Sequence, residues 1–389
     1  MNTLERIDVL FKQQQNKEAF SLLLKYVEEH PKDQQQAYRL AIVSEQIGTI
    51  EQTQQAYLNC LKVCPNNALA YLYAGTFFLA INFEDKGLAI LVVGEQLDSK
   101  ITTLYRYENV EMQTRERSYK ADMALRNFYT SQHQNQVGNA QSLQNVAQAI
   151  WPQTHNANFQ YHVEHQRPHL FYLPHLTAKP FWQECSAFDV AGIESNLAEL
   201  KNEFLALVDH IDDYGEPYLG DEYKQLGFDK LAGSTNWTAL HIYKGGQLNE
   251  LLADKLPVTL STLRQLPLYK LNDNPFEVFY SVLKGGQHIT PHYGLSNHSL
   301  TVHFPLIVPG EGYIKVADEQ VQWQEGEIVA FDDSYIHEAV NHSEQMRVVL
   351  IFSVWHPELT LDEQAAIRRS FSARKEWQKN QKNYVDNLL

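Results

Sequence analysis

Between residues 239 and 354 the chain breaks into short runs rich in β-branched and aromatic residues: 239–244, 276–283, 298–307, 311–316, 327–331, 335–340 and 346–354. Turns such as KGGQ, PGEG and QEGE separate them. Many short strands punctuated by glycine turns favour a sandwich or a barrel. A helical segment is expected near 191–211, and helix returns from Leu361 onward. The 389 residues suffice for two or three domains, and 44% hydrophobic with 20% charged residues is a globular composition.

Residues 1–99 have a different texture. Pro31 ends one helical stretch and Pro65 the next, 34 residues on; Ser99 ends a third at the same interval. Small residues recur in step where paired helices must approach closely, at Ala41 and Gly75 and at Ala19 and Gly87, while Thr53 breaks the pattern. A 34-residue period with proline after the second helix resembles the tetratricopeptide repeat. Cys60 and Cys64 share a helix face and read as small buried hydrophobes. With Cys185 they make three cysteines, too few for a disulfide framework. Residues 100–169 read as a helical connector and loop; His162, His165 and His169 read as surface-loop residues.

The net charge of −15 makes nucleic acid and anionic membrane poor partners, and leaves basic substrates open. The first residues are amphipathic with no apolar signal core, and no apolar run is long enough to span a bilayer, so the expected location is the cytoplasm.

Three features carry chemistry: Thr290-Pro291-His292-Tyr293-Gly294, the stretch Phe331 to Glu338 containing His337, and Arg347 at the start of MRVVLIFSV. Two imidazoles from separate strands of one jelly roll can converge on a metal, and neutral imidazole suits Fe(II). An arginine on the following strand lies deeper in such a barrel, where its guanidinium grips a carboxylate at two points. A dicarboxylate that chelates the metal at one end and meets the arginine at the other is 2-oxoglutarate. Taken singly, each histidine is as readily structural, and Asp332-Asp333 reads as turn chemistry. His241, His288 and His298 are not expected to bind metal. The near-duplicate KGGQ motifs at Lys244–Gln247 and Lys284–Gln287 read as hairpin turns rather than phosphate cradles.

The stretch from Tyr280 to Thr360 resembles the aspartyl/asparaginyl β-hydroxylases. The segments YSVLKGGQHITPHYGLSNHSLTVHFPLIVPGEGYIKV and EGEIVAFDDSYIHEAVNHSEQMRVVLIFSVWHPELT carry the likeness, with STNWTAL upstream. The resemblance covers roughly 170–365, and family members from vertebrates also carry helical repeats ahead of the catalytic domain. It implies an α+β multidomain chain: helical repeats over 1–99, a connector over 100–169, a double-stranded β-helix (jelly-roll or cupin-like) over 170–365, and a C-terminal helix over 366–389. It implies a peptidyl hydroxylase using Fe(II), 2-oxoglutarate and O2 and releasing succinate and CO2. His292 and His337 would ligate iron, Arg347 and Ser281 would bind the distal carboxylate, His303 would sit beside the cosubstrate, and Trp237 would line the pocket. Asn297 matches the family pattern without an assigned role.

Gly294 stands where related oxygenases place a carboxylate ligand, as it does in this family, so an open position for water or halide is expected beside it. Animal relatives have basic residues where this chain has Phe279, Ser299 and Thr301, a departure that counts against an aspartyl substrate. The repeats would capture a peptide or protein substrate. Two other readings remain at this point: a non-catalytic binding protein whose repeats are the active part beside a degenerate β-domain, and a 2-oxoglutarate-dependent halogenase.

Overall fold

The structure is a computed structural model describing residues 2–182, 191–221, 224, 231–271 and 273–389; Cys185 lies outside the described residues. It divides into two compact units, Met1–Gln132 with Ala373–Leu389, and His133–Ser372. The boundary expected at 99 is therefore not where compactness changes.

The first unit is built from helices α1 (Thr3–Lys12), α2 (Asn16–Glu29), α3 (Gln34–Ile47), α4 (Ile50–Val63), α5 (Ala68–Ala80), α6 (Glu84–Leu97) and the first part of α7 (Met112–Val137). The period is visible in their starts: α2, α4 and α6 begin at 16, 50 and 84, so that 50 − 16 and 84 − 50 both give 34. Side chains at the helix entrances set these boundaries. Asn2 with Glu5 and Thr49 with Gln52 form capping boxes, while Asp33 and Asn67 cap α3 and α5. Gly75 and Gly87 show why small residues recur. A Cβ on Gly87 would stand 2.9 Å from the Gly75 carbonyl, and one on Gly75 would stand 3.1 Å from the Gly87 carbonyl. Thr53 accommodates its extra bulk by donating its hydroxyl to the Ser44 and Thr49 carbonyls. Cys60 and Cys64 are buried free thiols in a core with Tyr57, Leu61 and Phe78. The expected connector does more than connect, because Ala121, Leu125 and Tyr129 of α7 belong to that same core.

The second unit contains the strands β1 (Glu216–Pro217), β2 (Trp237–Lys244), β3 (Gln247–Leu248), β4 (Glu277–Leu283), β5 (His288–His292), β6 (Ser299–Ile307), β7 (Gly312–Val316), β8 (Glu319–Gln322), β9 (Val329–Phe331), β10 (His337–Asn341) and β11 (Arg347–Trp355). One sheet runs β1-β2-β4-β11-β6-β9 with β3 on β2; the other runs β5-β10-β7-β8. From β4 onward the chain crosses between them: β4, β6, β9 and β11 fall in the larger sheet, and β5, the β7–β8 hairpin and β10 in the smaller. This weave is a double-stranded β-helix, so the unit is a jelly roll in a mixed α+β chain. Gly245 and Gly246, both at positive φ, close the β2–β3 hairpin as two-residue loops require.

Alternation decides what lies inside. Val278, Tyr280 and Val282 of β4, Leu300, Val302 and Phe304 of β6, and Val348, Leu350 and Phe352 of β11 point outward. There they share a cluster with Leu200 and Phe204 of the helix Leu197–Leu205 and Leu260 and Leu263 of the helix Pro257–Leu263. The odd-numbered residues of the same strands face the barrel interior. A further cluster joins Val146, Trp151, Phe171 and Leu173 to Ile367, so the latter part of the expected connector is core of this unit. Among the described residues no helix is long and apolar enough to cross a membrane.

Candidate active site

β10 pairs with β5 so that His337 lies directly opposite His292, with ring centroids 4.1 Å apart. Each ring is oriented by a backbone carbonyl two residues upstream: His292 Nδ1 meets Thr290 O at 2.8 Å, and His337 Nδ1 meets Tyr335 O at 2.9 Å. A donor role at Nδ1 leaves the lone pair on Nε2 in both rings. Burial lowers both imidazoles below their ordinary range; His337, with His292 beside it, falls to about 3. Both are therefore neutral at physiological pH, the form that binds a metal. Among the described residues no group of three or more His, Cys, Asp or Glu is arranged to hold a metal ion. The donor set on offer is this imidazole pair, and it fits a centre with two protein ligands.

Arg347 occupies the interior of the larger sheet. It opens β11 opposite Leu283 of β4, and it is one of the largest fully buried side chains. Its Nη1 donates to the carbonyl and the hydroxyl of Ser281, both at 3.3 Å. The Ser281 hydroxyl also receives Trp237 Nε1 at 3.1 Å. The guanidinium lies 4.6 Å from the centre of the Trp323 ring. Among the described residues it has no carboxylate partner, and its Nε is buried without a hydrogen bond. Burial alone pushes this group down to about 9. A buried cation without an anion costs several kcal/mol, so the pocket is built to receive one. His303, also buried with its Nδ1 unbonded, is kept neutral by burial, by Arg347 and by His337. Phe331 packs between the two halves, its ring 4.9 Å from His303 and 5.6 Å from His337. The structure thus gathers His292, His337, Arg347, Ser281, Trp237 and His303 on one interior.

The sequence reading misses Trp323 and gives Asp333 only a turn role. Asp332 is the turn residue expected, accepting from the backbone N–H and the hydroxyl of Ser334 and from Gln166 Nε2. Asp333 instead turns inward. It accepts the Thr301 hydroxyl at 3.1 Å, and its carboxylate carbon lies 2.4 Å from where a Cβ on Gly294 would stand. The Asp333 carboxyl thus takes the space where a side chain at 294 would stand. Burial, then Asp332, raises the Asp333 carboxyl to about 7.

The outer part of the cavity carries the departures noted above. Phe279 is buried and stacks on Tyr218 (5.2 Å) and packs against His241 (5.1 Å). Thr301 is committed to Asp333, and Ser299 lies at the start of β6 opposite Trp355. Neither nearby lysine supplies the missing charge. Lys244 pairs with Glu216, and Lys284 Nζ donates to Thr235 Oγ1 at 3.1 Å. Asn297 plays a structural part. It accepts Leu173 N–H at 2.8 Å and donates to Leu173 O at 3.0 Å, clamping the preceding segment to the barrel. The other histidines stand apart from the pair. His288 bonds Glu338 at 2.6 Å, and His298 sits among Phe171, Tyr269 and Phe371, where burial lowers it to about 3.

Residues 194–357 match the model of the family described as aspartyl/asparaginyl beta-hydroxylase. The aspartyl/asparaginyl beta-hydroxylase of Homo sapiens is 29% identical over 212 residues, 51% of this chain and 27% of that protein. Aspartate beta-hydroxylase domain-containing protein 2 of Xenopus tropicalis is 28% identical over 211 residues, 53% of this chain and 55% of that protein. The ornithine lipid ester-linked acyl 2-hydroxylase of Rhizobium tropici is 30% identical over 130 residues, 33% of this chain and 44% of that protein. The chain thus spans from about a quarter to about half the length of these relatives. It is the jelly-roll segment, residues 194–357, that is similar to the aspartyl/asparaginyl beta-hydroxylase family.

Proposed function

We propose that the chain is an Fe(II)- and 2-oxoglutarate-dependent oxygenase that hydroxylates an unactivated C–H of an amino-acid residue in a peptide or protein, releasing succinate and CO2. The observation that carries this reading is the buried Arg347 guanidinium, which has no anion of its own among the described residues, inside the same barrel as a pair of neutral imidazoles. His292 and His337 would hold the iron through Nε2, and Arg347 with Ser281 would receive the distal carboxylate of the cosubstrate. Bound iron, with 2-oxoglutarate and O2, supplies the oxidising power for attack on a C–H bond. The protein's part is placement. The carbonyls of Thr290 and Tyr335 fix the imidazole orientations, Trp237 holds the Ser281 hydroxyl, and His303 and Phe331 wall the space between metal and arginine.

The helical unit would capture the substrate. It carries a groove of about 1030 Å³ whose lining includes Gln34, Tyr38, Asn66, Leu69 and Leu97, the kind of surface on which stacked helix pairs bind extended chains. The expected location is the cytoplasm, and no nucleic acid or membrane partner is proposed.

The test is succinate formation from 2-oxoglutarate in the presence of Fe(II) and O2, together with calorimetric binding of 2-oxoglutarate to protein loaded with Zn(II). Stoichiometric succinate and saturable binding support the reading; absence of both would leave only a binding protein.

A further inference from the structure

We propose that the residue presented to this site is cationic, a lysyl or arginyl side chain, and that the carboxylate of Glu277 holds it. The inference rests on the hydroxylase reading above and names its substrate class.

Position comes first. On β4 the inward residues are Ser281, Phe279 and Glu277, in order away from Arg347. Inward positions on one strand are roughly 7 Å apart, so Glu277 lies one step outside the aromatic wall made by Phe279. Two strand spacings, roughly 10 Å, separate β4 from β6 across the sheet order β4-β11-β6. A long side chain entering between them has the reach to place its end at Glu277.

The state of the carboxylate comes second. Glu277 is half-buried, burial raises it above the ordinary carboxylate range, and among the described residues it accepts no hydrogen bond. His241 Nδ1 lies 3.7 Å from this carboxylate. His241 is only 8% exposed, that Nδ1 has no hydrogen-bond partner, and burial lowers the ring to about 4, so it brings no charge. Lys244, opposite Glu277 in the β2–β4 register, is ion-paired with Glu216 and only partly offsets the effect of burial on Glu277. The half-buried acid and the unbonded imidazole nitrogen lie 3.7 Å apart, an arrangement a donor-rich cation at the carboxylate completes.

Charge comes third. Asp333 feels Glu277 electrostatically, and Phe279, Ser299 and Thr301 bring no positive charge. The outer cavity is therefore acid-lined, and Phe279 offers an aromatic face for an alkyl stem or a cation.

The experiment uses the full chain with Fe(II), 2-oxoglutarate and O2. It offers four peptide mixtures, randomised except for a fixed central Lys, Arg, Gln or Asp. Gain of one oxygen is read by mass spectrometry, and succinate is measured in the same reactions. The expected result is oxygen gain in the Lys or Arg mixture. With a single peptide taken from that mixture, Glu277→Gln, which is isosteric, should raise KM on the order of tenfold or more with a smaller change in kcat. Glu277→Lys should move the preference toward the Asp mixture, which a merely structural role would not do. Oxygen gain confined to the Gln or Asp mixtures, or succinate with no modified peptide at all, overturns the cationic substrate and leaves the oxygenase reading standing. An unchanged KM in Glu277→Gln overturns it equally. Absence of succinate from every reaction removes the oxygenase reading and this inference with it.

Discussion

Asp333 and Gly294 occupy one another's space: a Cβ added at Gly294 would lie 2.4 to 2.7 Å from the Asp333 carboxyl atoms, and Gly294 N–H donates to the Asp333 carbonyl at 2.6 Å. The glycine is therefore a consequence of the aspartate beside it. Gly294→Ala should destabilise the protein by about 1–3 kcal/mol through overpacking. Adding Asp333→Ala to that variant should recover a large part of the loss. A double-mutant cycle by thermal denaturation checks it, and additive effects would show that the contact is not what excludes a side chain. Wild-type protein supplied with chloride should yield no chlorinated product.

His292→Ala and His337→Ala should each abolish succinate formation and reduce metal binding, read by calorimetry with Zn(II). Retention of most turnover at saturating Fe(II) by either variant would remove that residue from the ligand set.

Arg347 sets stability against function. Burial lowers its folded-state value to about 9 from an ordinary 12.5. A base lowered on folding costs stability at every pH below its folded value, here on the order of several kcal/mol before a ligand arrives. Arg347→Met should therefore raise Tm by a few degrees while abolishing 2-oxoglutarate binding. Ser281→Ala should weaken that binding by only about 1 kcal/mol. A fall in Tm for Arg347→Met would mean the guanidinium is already satisfied in the free protein.

Asn297→Ala removes both bonds to Leu173 and leaves its buried N–H without a partner, while the carbonyl keeps the Leu176 N–H at 3.3 Å. The expected loss is about 1–3 kcal/mol. Calorimetric unfolding would measure it, and a change within about 0.5 kcal/mol, the scatter of surface substitutions, would reject the clamp.

If the helical groove captures substrate, Tyr38→Ala and Leu69→Ser should raise KM for a protein substrate several-fold and leave kcat on a short peptide unchanged. Equal effects on both substrates would place capture elsewhere.

The juxtaposition of His292 with His337 and the burial of Arg347 were readable because each sits in a compact motif. Outward strands were readable from their β-branched runs. β5 was not, since His288–His292 contains Pro291 and alternates around few apolar residues, as an edge strand can. The role of α7 was hidden because its polar composition masks the few residues, Ala121, Leu125 and Tyr129, that enter the core. Asp333 and Glu277 were invisible for another reason. Their neighbours Gly294, Thr301 and His241 come from strands remote in sequence, and only the register brings them together.

The contact between Trp323 and Arg347 gives the protein an optical reporter of its own. An indole emits according to the field across its ring, and this one lies 4.6 Å from a guanidinium that has no counter-charge among the described residues until a dicarboxylate arrives. Occupancy of the deep end should therefore appear as a change in ultraviolet emission, without label and without turnover. Of the six tryptophans, replacing Trp323 by Phe should silence that signal.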